Sequence, residues 1–214
     1  MGVLVLGLAP EGSLRNAFGL VKALEEYSRM IEPWARSVAA LMLADVTRKD
    51  AKMWRQNSKE ISLGLRRIVE SAPVGDVLRK LQDEQVELIK SIPTEAAKRV
   101  HELSLEATVS GTRAEDLAKK ILETESVTAS RAALIARTEV SRAGANLLQS
   151  RAEWAGSQGY IWRTSNDSNV RDSHKEMEGR YVRWSSPPTL DKMTGHAGAL
   201  PNCRCFAEPV FPED

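Results

Sequence analysis

The chain is predicted to be an α+β protein: a mostly helical N-terminal region followed by a small α+β module with a short antiparallel sheet. Three observations predict it. Up to about Trp154, apolar residues recur at helical spacing in a composition rich in Ala, Leu, Glu, Lys and Arg, with only 5% aromatics. After Gly159 the texture changes to short alternating runs separated by turn-forming residues. The only two cysteines of the 214 residues, Cys203 and Cys205, stand together near the end of this second part.

The helical elements follow in order. Ser13 is placed to cap a helix running to about Ile31, with Leu14, Phe18, Val21 and Leu24 on one face. Pro33 fits the first turn of a second helix. That helix reads through Trp34, Val38, Leu41, Val46 and Trp54 to about Val69, with Gly64 as a weak point. Ala72–Asp76 is a break with Asp76 as cap, and a helix then runs to Ile92–Pro93. Thr94 opens the next, ending near Gly111. Thr112-Arg113-Ala114-Glu115 fits a capping box, with Leu117, Ile121 and Leu122 as its apolar side. Ser126 or Thr128 caps a last long helix through Leu134, Arg137, Ser141 and Leu148 to Trp154, which Gly156 and Gly159 stop.

In the second part, Tyr160–Thr164, Arg180–Trp184 and Arg204–Val210 are strand candidates. Ser165–Asn169 is turn chemistry, Val170–Glu178 allows one or two helical turns, and Ser185–Pro201 reads as a loop. The division is therefore a helical arm over residues 1–125 and an α+β module over residues 126–214.

Composition limits function. The formal net charge is +1, so no global field draws the chain to nucleic acid or to an acidic surface. Two cysteines make no secreted-type disulfide framework, and an i, i+2 pair is badly placed to bond to itself. A reducing compartment is expected. The apolar start, Met1–Pro10, lacks a basic flank and is too short to span a bilayer, so no membrane role is expected. It either packs on its own fold or docks on a partner.

Four groups carry the candidate chemistry. Cys203 and Cys205 would share one side of a strand, and with His174, plus His196 or Asp167, they form a set suited to zinc. The other reading is two small buried thiols beside a packed imidazole. Asp167, Arg171 and His174 converge either as acid–base groups or as a satisfied polar network, and the network is the preferred reading. Arg137 falls on the apolar stripe of the long helix and should be paired there, and Glu139 lies two residues on. Neither justifies a catalytic assignment. No phosphate-binding glycine loop, nucleophile elbow or paired metal carboxylates appear, so no enzyme is expected. Finally, Arg48, Lys49, Lys52, Arg55, Lys59, Arg66 and Arg67 make a basic stripe around Trp54. It is either a solvated face or a contact for DNA phosphates or an acidic partner.

Ala136-Arg137-Thr138-Glu139, Trp162-Arg163-Thr164, Asp167, Val170-Arg171-Asp172-Ser173-His174, Gly179, Pro201 and Cys203-Arg204-Cys205 occur in an order and spacing that resembles the phage Mu F-like head morphogenesis family. The resemblance runs from about Thr128 to Phe211. It implies a non-enzymatic minor capsid protein of a tailed bacteriophage. Such a protein would lie inside the head near the portal, reach it through the host cytoplasm, and assist procapsid assembly and genome packaging or delivery. Portal protein, capsid interior and packaged double-stranded DNA are the implied partners. No cofactor is implied, zinc being the one ion the Cys–His set suits. Some members carry a further toxin domain; with the chain ending at Asp214, no toxin role is expected. The alternative is a zinc-dependent enzyme or a DNA-binding protein packaged in the virion.

Overall fold

In a computed structural model of the protein, residues 14–57, 67–68, 70–110 and 114–211 are described. Four long helices come first: α1 (Leu14–Met30), α2 (Glu32–Asn57), α3 (Gly75–Ser110) and α4 (Ala114–Trp154). Then follow β1 (Gly159–Thr164), the single-turn helix α5 (Asp172–Lys175), β2 (Tyr181–Arg183), β3 (Thr189–Leu190), β4 (Met193–Thr194) and β5 (Cys205–Val210). The predicted class is found: a helical N-terminal region and a small antiparallel sheet at the C-terminal end.

Two predicted helix breaks are absent. The expected start at Ser126 or Thr128 lies inside α4. Both hydroxyls turn backwards, Ser126 to the carbonyl of Glu123 and Thr128 to that of Thr124, and so back-bond within the helix instead of capping a new one. The expected break at Pro93–Thr94 lies inside α3. There Pro93 leaves the Ile89 carbonyl without its amide partner, and at the next carbonyl, that of Lys90, the Ser28 and Thr94 hydroxyls both donate, 2.8 and 3.2 Å away. The proposed cap Ser13, the capping-box residues Thr112 and Arg113, Gly64, Lys59 and Arg66, and the apolar start Met1–Pro10 lie outside the described residues.

The chain forms two compact units. The first comprises residues 1–38 and 84–135. Its core is Leu20 and Leu24 of α1 against Ala96, Ala97 and Val100 of α3, with Ile121 of α4 packed on it. Small alanines let these helices approach closely, and Lys90 of α3 pairs with Glu32 of α2 at 2.9 Å.

The second unit comprises residues 39–83 and 136–214. One of its clusters joins Leu43 and Val46 of α2, Leu81 of α3, and Ala143 and Leu147 of α4. Beside these helices, Asp50 of α2 meets Arg151 of α4 at 2.8 Å with both side chains almost fully buried. Burial raises the pKa of Asp50, and the guanidinium opposes that rise.

The other cluster lies on the sheet. β1 is central, antiparallel to β2 on one edge and to β5 on the other. Tyr160, Trp162 and Thr164 alternate inward, and the register sets Val182 opposite Tyr160, Ala207 opposite Trp162 and Cys205 opposite Thr164. All six are buried. Ala152 of α4, with Val170, Trp184 and Ala197, completes this core. On the outer face Arg163 bridges Glu208 of β5 and Glu178, beside the exposed side chains of Tyr181 and Phe206. Within the predicted loop Ser185–Pro201 there is one further element, the β3–β4 hairpin. Its turn residues Asp191 and Lys192 have φ of 51° and 66°, the two positive values of a type I′ turn.

Candidate functional site

The site is built from three pieces of the second unit. The first is the turn before β5. The Cys203 amide donates to the Leu200 carbonyl at 3.0 Å, closing a four-residue turn with Pro201 and Asn202 at its centre. Proline presets φ at the first central position, and Asn202 takes the positive φ of 53° needed at the second. The Pro-Asn-Cys sequence thus delivers Cys203 at a fixed point, and Cys205 follows as the first residue of β5.

The second piece is α5. Arg171 is its extended N-cap residue, and His174 sits in the turn with its ring only 1% exposed. The His174 ring meets Trp162 edge-on, with centroids 5.5 Å apart. Its Nδ1 stands 3.5 Å from the sulfur of Cys203 and 3.5 Å from that of Cys205. The three candidate ligand atoms lie within 4.8 Å of one another.

The third piece is the segment around Gly198. Its amide donates to the Cys203 sulfur at 3.4 Å, and its carbonyl accepts from the Ser141 hydroxyl of α4 at 2.9 Å. Gly198 has φ of +81°, and a Cβ there would lie 3.1 Å from the Cys205 carbonyl oxygen and 3.4 Å from the Ala145 methyl. Only glycine fits such a position without strain.

The two thiols titrate as a pair. A hydrogen bond from Cys205 lowers the Cys203 pKa, and the amides of Cys205 and Gly198 and the His174 ring assist against the cost of burial. Cys205 moves the other way, raised first by that same hydrogen bond and then by burial. The pair titrates together, with Cys203 drawn down and Cys205 pushed up.

The predicted network is only partly assembled. His174, Cys203 and Cys205 come together, and Arg171 joins them through Asp191 and the Pro201 carbonyl. Asp167 does not. Its carboxylate pairs with Arg204 at 2.6 Å and accepts from Ser165 and from the Asn169 amide, which chiefly holds its pKa down. Arg137 is exposed on α4, not buried on the apolar stripe as expected, because the inward face of that stretch is taken by Glu139 and Ala143. Glu139 is buried and paired with Arg142 one turn on, at 2.7 Å. His196 is not a ligand either. Its ring packs against Tyr160 and Trp184, its Nδ1 meets the Tyr160 hydroxyl at 3.2 Å, and burial lowers its pKa.

One residue escaped the sequence reading. Asp191 accepts from Ser173 at 2.9 Å, lies 3.5 Å from Arg171, and sits 3.9 Å from His174 Nε2. Its signal was the unread hairpin: Thr189-Leu190 and Met193-Thr194 flank two turn residues that lack the glycine usual there. The basic residues Arg48, Lys49, Lys52 and Arg55 are all exposed on α2, with Arg48 and Lys49 both near Asp45.

The family described as phage Mu protein F like protein matches residues 98–208. The chain belongs to the phage Mu protein F-like family. The match begins within α3, upstream of the expected start at Thr128, so the Mu F-like region takes in the end of α3, all of α4 and the sheet. An uncharacterized protein of Haemophilus influenzae is 32% identical over 207 residues, covering 92% of this chain and 44% of that relative's length. No solved structure matches the chain. The Mu F-like family is one of phage head morphogenesis proteins, and no described helix of this member is long and apolar enough to cross a membrane.

Proposed function

We propose that this protein is a non-enzymatic minor head protein of a tailed bacteriophage. It acts inside the head beside the portal, in few copies, assisting procapsid assembly and the packaging or delivery of the genome. The observation that carries this reading is family membership across the whole C-terminal module. The chemistry of the module agrees with a scaffold. Asp167, the carboxylate of the candidate acid–base group, is held in an ion pair with Arg204. A carboxylate so held is a poor proton acceptor.

The contact surfaces lie elsewhere. Arg48, Lys49, Lys52 and Arg55 on α2 form a basic face suited to the phosphates of packaged double-stranded DNA or to an acidic portal surface. Trp34 and Trp154 expose more than half of their surface, in a chain with only five tryptophans. Exposed indoles of this kind suit the centre of a protein interface, and the portal and the capsid lining are the proposed partners.

Protein analysis of purified assembling heads and of mature virions tests the reading. The protein is expected in both assembling and mature heads at a small, fixed ratio to the major capsid protein. Its consistent absence from particles at every stage would overturn the proposal.

A further inference from the structure

We propose that His174, Cys203 and Cys205 hold a structural zinc ion that fastens the end of the chain to the α5 turn. Zinc bonds of about 2.3 Å to sulfur and about 2.0–2.1 Å to nitrogen, at a tetrahedral angle, set N and S about 3.5–3.6 Å apart. Both His174 Nδ1–sulfur distances are 3.5 Å. Both nitrogen–sulfur edges thus have the length of a zinc tetrahedron, and the two sulfurs lie within 4.8 Å of each other.

A plain hydrogen-bonded cluster accounts for this less well. One imidazole nitrogen carries either one proton or one lone pair, so it serves one sulfur well and not two. Equal approach to both sulfurs is what a shared ion between them requires.

The surroundings match a metal site as well. His174 Nε2 is buried and has no hydrogen-bond partner, and the nearest carboxylate oxygen to it is Asp191 Oδ2 at 3.9 Å. A metal-bound imidazole commonly turns its second nitrogen to such a carboxylate, which fixes the ring. Asp191 is itself held by Ser173 and Arg171. The Gly198 amide donates to the Cys203 sulfur and fixes its position. Two sulfurs and one imidazole select zinc over magnesium or calcium.

The inference rests on this geometry and not on the role in the phage head. The full chain is purified without added metal and its metal content measured. About one zinc per chain is expected, lost in the Cys203→Ser, Cys205→Ser double variant. Zinc retained by that variant would put the ion elsewhere and overturn the proposal. Since the variant's folding is itself at stake, the wild-type chain, stripped by chelator, is also titrated with cobalt(II). A sulfur-to-cobalt charge-transfer band saturating near one equivalent, and displaced by zinc, is expected. No such band, or an unchanged melting temperature after chelation, would overturn it.

Discussion

The Arg171 guanidinium donates to the carbonyl of Pro201, thirty residues further along the chain. That bond ties the N-cap of the turn carrying His174 to the centre of the turn carrying Cys203. It explains why an arginine three residues before the histidine and a proline two residues before the cysteine occur in one chain. Neither residue touches the Cys–His cluster directly, yet together they set the distance across it.

Arg171→Ala should loosen this tie. A hydrogen bond to a charged donor contributes about 1.5–3 kcal/mol, and the partly exposed position puts the loss at the lower end. Urea unfolding should show the reduced stability, and Arg171→Lys should recover only part of it, because a lysine lacks the fork that serves Pro201 and Asp191 together.

Asp50→Ala should be more damaging. It leaves Arg151 buried without its carboxylate, which costs about 3–5 kcal/mol in comparable cases. Replacing both partners, Asp50→Leu with Arg151→Met, should restore most of the loss in a double-mutant cycle. If the single variant melts like wild type, the pair does not anchor α2 to α4.

Neither of these two contacts is legible in the sequence, since each joins residues far apart along the chain. Helix content, the three main strands and the inward set Tyr160, Trp162 and Thr164 follow from local periodicity, which the structure keeps. The cluster of His174 with both cysteines follows from residue type and order. Missed features depend on tertiary partners. Pro93 and Thr94 look like a boundary, but Ser28, distant in sequence, supplies a donor at the Lys90 carbonyl. Ser126 and Thr128 look like caps, but their hydroxyls fold back. Asp191 lies in a turn with no glycine, so nothing local announced that it would face His174. Arg137 falls on a stripe with Leu134 and Ser141 in the sequence, but packing sets the inward direction along Glu139 and Ala143.

Acid should reveal the role of Asp167. Its pKa is lowered, first by the Asn169 amide and also by Ser165 and Arg204. A carboxyl depressed in the folded state contributes stability above the ordinary carboxylate range and loses it as pH falls through the folded value. The stability gap between wild type and Asp167→Asn should therefore be constant from neutral pH to about pH 4 and shrink below it. A gap that widens on acidification contradicts the assignment.

Gly198→Ala should perturb the site without removing any side chain. The positive φ alone costs roughly 1–2 kcal/mol for an L-residue, and the added methyl presses on the Cys205 carbonyl and Ala145. Thermal melts should show the loss, and an unchanged melting temperature would contradict it.

The most direct measurement is co-purification of the tagged protein with portal and major capsid proteins from assembling particles. The account predicts recovery with the portal, weakened by Trp34→Ala or by charge reversal at Lys49 and Lys52. Protein recovered free of every particle component, throughout assembly, would contradict it.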